Sequence, residues 1–126
     1  MKIKQHMAAL LTATALASSL PTQAEERPHL TPETMLTLAR VGSAALSPDG
    51  KLVVYSVGFP NIKDNKIRTE FFTITSSGTT RTQITRGIPG LSSPRWIQGG
   101  RRISYLSSES GATQVWTMRP DGLDRK

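Results

Sequence analysis

The sequence has 126 residues, a length that suits one domain or less, and its apolar fraction of 37% is ordinary for a globular protein and excludes wholesale disorder. It contains no cysteine, which excludes a disulfide framework, a thiolate metal site and a cysteine nucleophile. Its formal charge of +7 comes from basic residues scattered singly or in pairs such as Arg101-Arg102 and Arg125-Lys126, without the stripe and aromatic interleaving of a nucleic-acid reader, so no nucleic-acid partner is expected.

At the N-terminus, Lys2 and Lys4 precede an uncharged apolar run over residues 7–20, followed by Pro21 and the small-x-small sequence Thr22-Gln23-Ala24. This is the pattern of a secretory signal peptide over 1–24, cleaved after Ala24. The run is shorter than the roughly 20 residues a transmembrane helix needs, and no stable membrane insertion is expected. Removing the two lysines leaves 14 basic and 9 acidic residues, a charge of +5. A secreted or periplasmic location follows as an expectation.

Residues 25–41 form a lead-in. Thr31-Pro32-Glu33 predicts a helix start, with Thr as N-cap, Pro at the first helical position and Glu in the first turn. Leu30 and Met35 stand where a hydrophobic staple closes such a start, and the helix is expected to end near Arg40, before Gly42. From Val41 onward the pattern changes to short β-runs separated by turn clusters: 43–46, 52–57, 69–75, 80–85, 94–97, 102–107 and 113–118. Ser47-Pro48-Asp49-Gly50 and Arg119-Pro120-Asp121-Gly122 place Pro second and Gly last in a turn, and Gln98-Gly99-Gly100 serves the same purpose without Pro.

The chain superposes on itself. Gly50-Lys51-Leu52-Val53-Val54-Tyr55 falls on Gly100-Arg101-Arg102-Ile103-Ser104-Tyr105 at a spacing of 50. Phe71-Phe72-Thr73-Ile74 and Gly78 fall on Val115-Trp116-Thr117-Met118 and Gly122 at a spacing of 44, the difference being taken up by a longer loop over 58–68. A repeat of this length with about four strands is one propeller blade. The fold class is therefore all-β: a first blade over 42–88 and most of a second over 89–126, an incomplete β-propeller that ends where the second blade's outer strand is due. Two hairpins of a β-sandwich are the alternative.

The residues that repeat also carry a family resemblance. Leu46-Ser47-Pro48-Asp49-Gly50-Lys51-Leu52-Val53-Val54-Tyr55-Ser56, with Phe72-Thr73-Ile74, Gly78 and Gln83-Ile84-Thr85, resembles the repeat of TolB-type propellers. The lead-in Leu30-Thr31-Pro32-Glu33-Thr34-Met35 with Arg40-Val41-Gly42-Ser43 resembles the start of secreted serine peptidases of the prolyl oligopeptidase family, in the dipeptidyl peptidase and acylaminoacyl peptidase branch. The resemblance implies a propeller that caps an α/β-hydrolase domain, restricts access to its chamber and receives peptide substrates through that following domain. The family's Ser, Asp and His belong to that domain, so no catalytic residue is carried over here. A TolB-like periplasmic propeller that only binds proteins is the alternative function.

Chemistry within the chain itself finds little footing. A Ser-His-Asp mechanism has only His6, which leaves with the signal peptide, and His29, expected to be solvent-exposed. Gly90-Leu91-Ser92-Ser93-Pro94 is the nearest approach to a nucleophile elbow, but Pro replaces the last Gly and no helix follows. Asp64 and Asn65 lack the spacing of a calcium loop, and Gly99-Gly100 lacks the helix of a phosphate cradle. Asp49 and Asp121 are expected to make turn hydrogen bonds. Trp96, Trp116, Tyr55, Phe72 and Tyr105 are expected to pack between blades. No catalytic, cofactor-binding or metal-ligating residue is assigned, and no cofactor is expected.

Overall fold

A computed structural model describes residues 29–126. The signal segment over 1–24, its cleavage point after Ala24 and His6 lie outside the described residues.

Helix α1, Pro32–Thr37, begins as its sequence directs: the Thr31 hydroxyl accepts from the Thr34 N–H at 3.2 Å, and the Met35 N–H donates to the Thr31 carbonyl at 2.9 Å. It stops short of the expected end near Arg40. Leu38 is already extended, at φ −66° and ψ 130°, because Arg40 must enter strand β1, Arg40–Leu46, and pair with Gly58. The staple does not close either, since Leu30 and Met35 remain 63% and 52% exposed.

Seven strands follow, close to the seven runs read from the pattern: β1; β2, Leu52–Asn61; β3, Lys66–Thr75; β4, Arg81–Gln83; β5, Ser92–Ile97; β6, Arg102–Ser107; and β7, Gln114–Met118. They form two antiparallel sheets, in the orders β1-β2-β3-β4 and β5-β6-β7, with no strand shared between them. A bulge lies between Val41 and Ala44 of β1, where a Cβ on Gly42 would stand 2.7 Å from the Ser56 hydroxyl. Strand β4 is shorter than expected, yet its neighbours Thr80 and Ile84 continue the ladder through bonds to Thr75 and Phe71.

The segment over 58–68 is not the plain loop expected. The ladder between β2 and β3 runs unbroken to Asn61↔Lys66, making a hairpin arm that extends past the rest of the sheet. Its turn is closed by the Asn65 N–H on the Ile62 carbonyl, with Asn65 at φ 47°, and by Asn61, whose side chain bonds both Lys63 N–H and Asp64. Asparagine tolerates this left-handed backbone, which allows so tight a turn.

The two sheets meet face to face. Val54 and Phe71 of the first pack with Ile103, Tyr105 and Met118 of the second, and Ile84, Ile88 and Leu91 from the intervening link complete the core. Phe71 and Tyr105 meet edge to face, with centroids 5.8 Å apart at 84°. The Trp96 indole N–H reaches across to the Ala45 carbonyl at 2.8 Å. Past β7 the Thr117 and Lys126 main chains bond reciprocally at 2.8 and 3.0 Å. This reproduces the pairing of Thr73 with Thr82, again at a spacing of 44, so Lys126 takes the first place of an outer strand in the second sheet. The architecture is an incomplete β-propeller, two blades whose sheets do not close.

Candidate functional site

Three surfaces carry what polar and aromatic chemistry the described residues offer. The first is the pair of turns. In Ser47-Pro48-Asp49-Gly50, the Ser47 hydroxyl donates to Asp49 at 2.6 Å and accepts from the Leu52 N–H at 2.9 Å, while Asp49 also accepts from the Lys51 N–H at 3.1 Å. These donors hold the Asp49 carboxyl below its ordinary value, the Ser47 hydroxyl contributing most. In the second turn Asp121 is lowered chiefly by the Leu123 N–H and then by Arg119. Both aspartates thus serve the turns as expected.

The second surface is the face of the first sheet turned away from the second. Side chains alternate along β2 and β3, so Val54, Phe71 and Thr73 face the neighbouring blade while Val53, Tyr55, Phe72 and Ile74 face the other way. Tyr55 and Phe72 stack there at 5.7 Å, the Arg81 guanidinium lies 4.4 Å over the Phe72 ring, and Arg68 lies 5.0 Å over Phe59. Tyr55 and Phe72 therefore do not pack between these two blades as expected. Tyr105, Trp116 and Trp96 do. The repeat equates Tyr55 with Tyr105 and Phe72 with Trp116, so this aromatic face is the counterpart of the one the second blade buries on the first. Tyr105 is 1% exposed, and burial raises the pKa of its hydroxyl.

The third surface is an open cleft of about 780 Å³ between the hairpin arm and the link between the sheets, lined among others by Ile62, Lys63, Lys66, Ile67, Ile88 and Leu91. Its wall is fixed by a residue that the pattern reading passed over. Glu70 is fully buried and accepts from Arg68, from the Thr85 hydroxyl at 2.8 Å and from the Gly87 N–H at 2.8 Å. A charged residue beside the apolar pair Phe71-Phe72 in a β-run was the available signal, because a buried carboxylate requires such partners.

The residues tested for catalysis are not brought together into a hydrolytic centre. Ser92 is exposed at the head of β5, Ser93 follows at φ 54°, and strand rather than helix continues from there. His29 is exposed ahead of α1. Asp64 is bonded by Asn61 in the hairpin turn, and Gln98–Gly100 forms a single 3₁₀ turn with Gly99 and Gly100 at φ 66° and 88°. Among the described residues no group of three or more His, Cys, Asp or Glu side chains is placed to hold a metal ion, and no helix is long and apolar enough to cross a membrane.

With two stacked blades and a short capped lead-in helix among the described residues, the molecule is of the propeller class. Solved propellers bear this out at the level of fold. The chain superposes on the β-propeller domain of the trilobed protease from Pyrococcus furiosus with a TM-score of 0.53, at 22% identity over 70% of this chain and 26% of that one. It superposes on the acylaminoacyl peptidase of Pyrococcus horikoshii with a TM-score of 0.60, at 20% identity over 74% of this chain and 14% of that one. No protein-family model matches the chain. Among curated proteins it is 41% identical over 134 aligned residues to dipeptidyl-peptidase 5 of Porphyromonas endodontalis and 44% identical over 115 to dipeptidyl-peptidase 5 of Porphyromonas gingivalis. These matches take in 98% and 90% of this chain but only 19% and 16% of the relatives' lengths. In sequence the chain is similar to a segment of dipeptidyl peptidases, and in fold to the propellers of peptidases.

Proposed function

We infer that this segment is the opening of the propeller of an exported serine peptidase that releases dipeptides or acylated residues from peptides. The observation that carries this reading is the 41% identity to a dipeptidyl-peptidase 5 over nearly the whole segment, far above what shared propeller geometry requires. In this reading the blades wall an antechamber and restrict which peptides reach a hydrolase domain supplied by a later part of the protein. The pattern of Lys2, Lys4, the apolar run and Thr22-Gln23-Ala24 supports export, with Glu25 as the new N-terminus.

The test is to express the complete reading frame that contains this segment and to assay the exported product on dipeptidyl and acylaminoacyl chromogenic substrates. Hydrolysis blocked by a serine-directed organophosphate, from a protein whose N-terminal sequence begins at Glu25, is the expected result. Absence of a Gly-x-Ser-x-Gly strand-to-helix motif downstream, together with no hydrolysis, would turn the assignment to a protein-binding propeller. Exported material that still begins at Met1 would overturn the signal-peptide reading.

A further inference from the structure

The hairpin arm has two edges, and they differ. On the β2 side, β1 pairs only as far as Arg40↔Gly58, and the next residue whose main chain turns that way is Pro60, which has no N–H to offer. That edge is blunted. On the β3 side, β4 pairs with Phe72, Thr73 and Ile74, and the last bond of the ladder is the Ile84 N–H to the Phe71 carbonyl. Main-chain groups alternate in direction along a strand, so Ile67 and Thr69 turn theirs to the same side as Phe71. Among the described residues neither Ile67 nor Thr69 has a strand partner on that side.

This open edge borders the 780 Å³ cleft, and the side chains around it state what fits. Ile67 is 61% exposed and lies on the face of the arm where Ile88 and Leu91 line the cleft. Lys63 and Lys66 also line it, without an ion pair among the described residues, and exposed Arg86 adjoins Gly87. Of the acids nearby, Asp64 also lines the cleft and keeps its charge beside the neutral Asn61 amide, outnumbered by Lys63, Lys66 and Arg86, while buried Glu70 is held by Arg68, Thr85 and Gly87. The exposed field is basic.

We propose that the β3 edge of the arm receives an extended acidic segment of a separate polypeptide, which adds as a strand alongside Ile67 and Thr69 and places carboxylates against Lys63 and Lys66. Main-chain bonds to the two residues provide the grip, and the lysines and the apolar floor select among strands. A second copy of this chain fits less well, because pairing of two such edges sets Lys63 and Lys66 against their own counterparts.

The test does not depend on the peptidase reading, since it measures binding. The protein, expressed from its complete reading frame and treated with a serine-directed organophosphate, is titrated into a fluorescein-labelled peptide alternating glutamate and valine, and anisotropy is followed. Saturable binding that weakens with salt is expected, lost when alternate peptide nitrogens are methylated and absent for the peptide with lysine in place of glutamate. Lys66→Glu is expected to weaken binding about tenfold. Ile67→Pro, which removes an outward N–H and no bond to β2, is expected to abolish it. Equal binding of the lysine peptide, or binding untouched by both variants, would overturn the proposal. So would self-association that Ile67→Pro relieves, which would give the edge to a second copy.

Discussion

Gly78 and Gly122 occupy the same place in the repeat and share a left-handed backbone, at φ 76° and 83°. Their surroundings differ. A Cβ on Gly78 meets nothing within 4 Å, whereas one on Gly122 would fall 2.1 Å from the Ile84 carbonyl oxygen, where the second turn presses on the link between the sheets. Gly78→Ala should therefore cost about 1 kcal/mol, the ordinary penalty of the left-handed conformation. Gly122→Ala should cost about 3 kcal/mol or more, because the link has to move as well. Hydrogen exchange in the intact protein checks this: the Ile84 amide should lose protection in the second variant and keep it in the first. Equal effects would show that the turn and the link are not in contact.

At the scale of elements, the link over 84–91 is held by side chains and loop carbonyls more than by a ladder. Glu70 fastens its start through Thr85 and Gly87, and the Ser107 hydroxyl and Ser108 N–H fasten its end by donating to the Pro89 carbonyl at 2.8 and 3.1 Å. Removing a buried carboxylate strands the donors it served, and the cost runs to about 3–5 kcal/mol when a charged partner is among them. Arg68 is 54% exposed and can turn to water, which puts Glu70→Ala at the low end of that range. Glu70→Gln keeps one acceptor and the shape and should cost less. Trypsin reports the difference, since Arg86 sits within the link: cleavage after Arg86 should be fastest in Glu70→Ala, slower in Glu70→Gln and slowest in the unaltered protein. Cleavage at one rate in all three would mean that Glu70 does not hold the link.

Across the whole molecule, each blade presents two faces, and among the described residues only the facing pair is covered by another sheet. The face bearing Tyr55 and Phe72 has no sheet behind it, and on the far side of the second sheet Val115 is 71% exposed. Propeller blades gain their stability from neighbours, as other stacked repeats do. Residues 25–126 alone should accordingly melt without a sharp transition and should hydrolyse no dipeptidyl or acylaminoacyl chromogenic substrate. A steep, monomeric calorimetric transition would overturn the first expectation, and hydrolysis lost on mutating Ser92 or His29 would overturn the second.

Local chemistry made much of this legible in advance. The Thr31 cap, the two Pro-Asp-Gly turns and the seven β-runs act between residues close in the chain, and the spacings of 50 and 44 show when the sequence is laid on itself, so the sequence alone determined most of the elements and their grouping into two sheets. Some features stayed hidden because they are settled by strand pairings that the pattern of residue types does not reveal. The helix ends at Thr37 because Arg40 is claimed by Gly58, and the segment over 58–68 is an arm because Asn61 and Lys66 find each other across a turn any polar loop resembles. The repeat itself makes Tyr55 equal to Tyr105 and Gly78 equal to Gly122. Only the tertiary structure separated them, by giving one member of each pair a neighbouring blade or link to press against and leaving the other without one, since burial belongs to the assembled sheets and not to the residue.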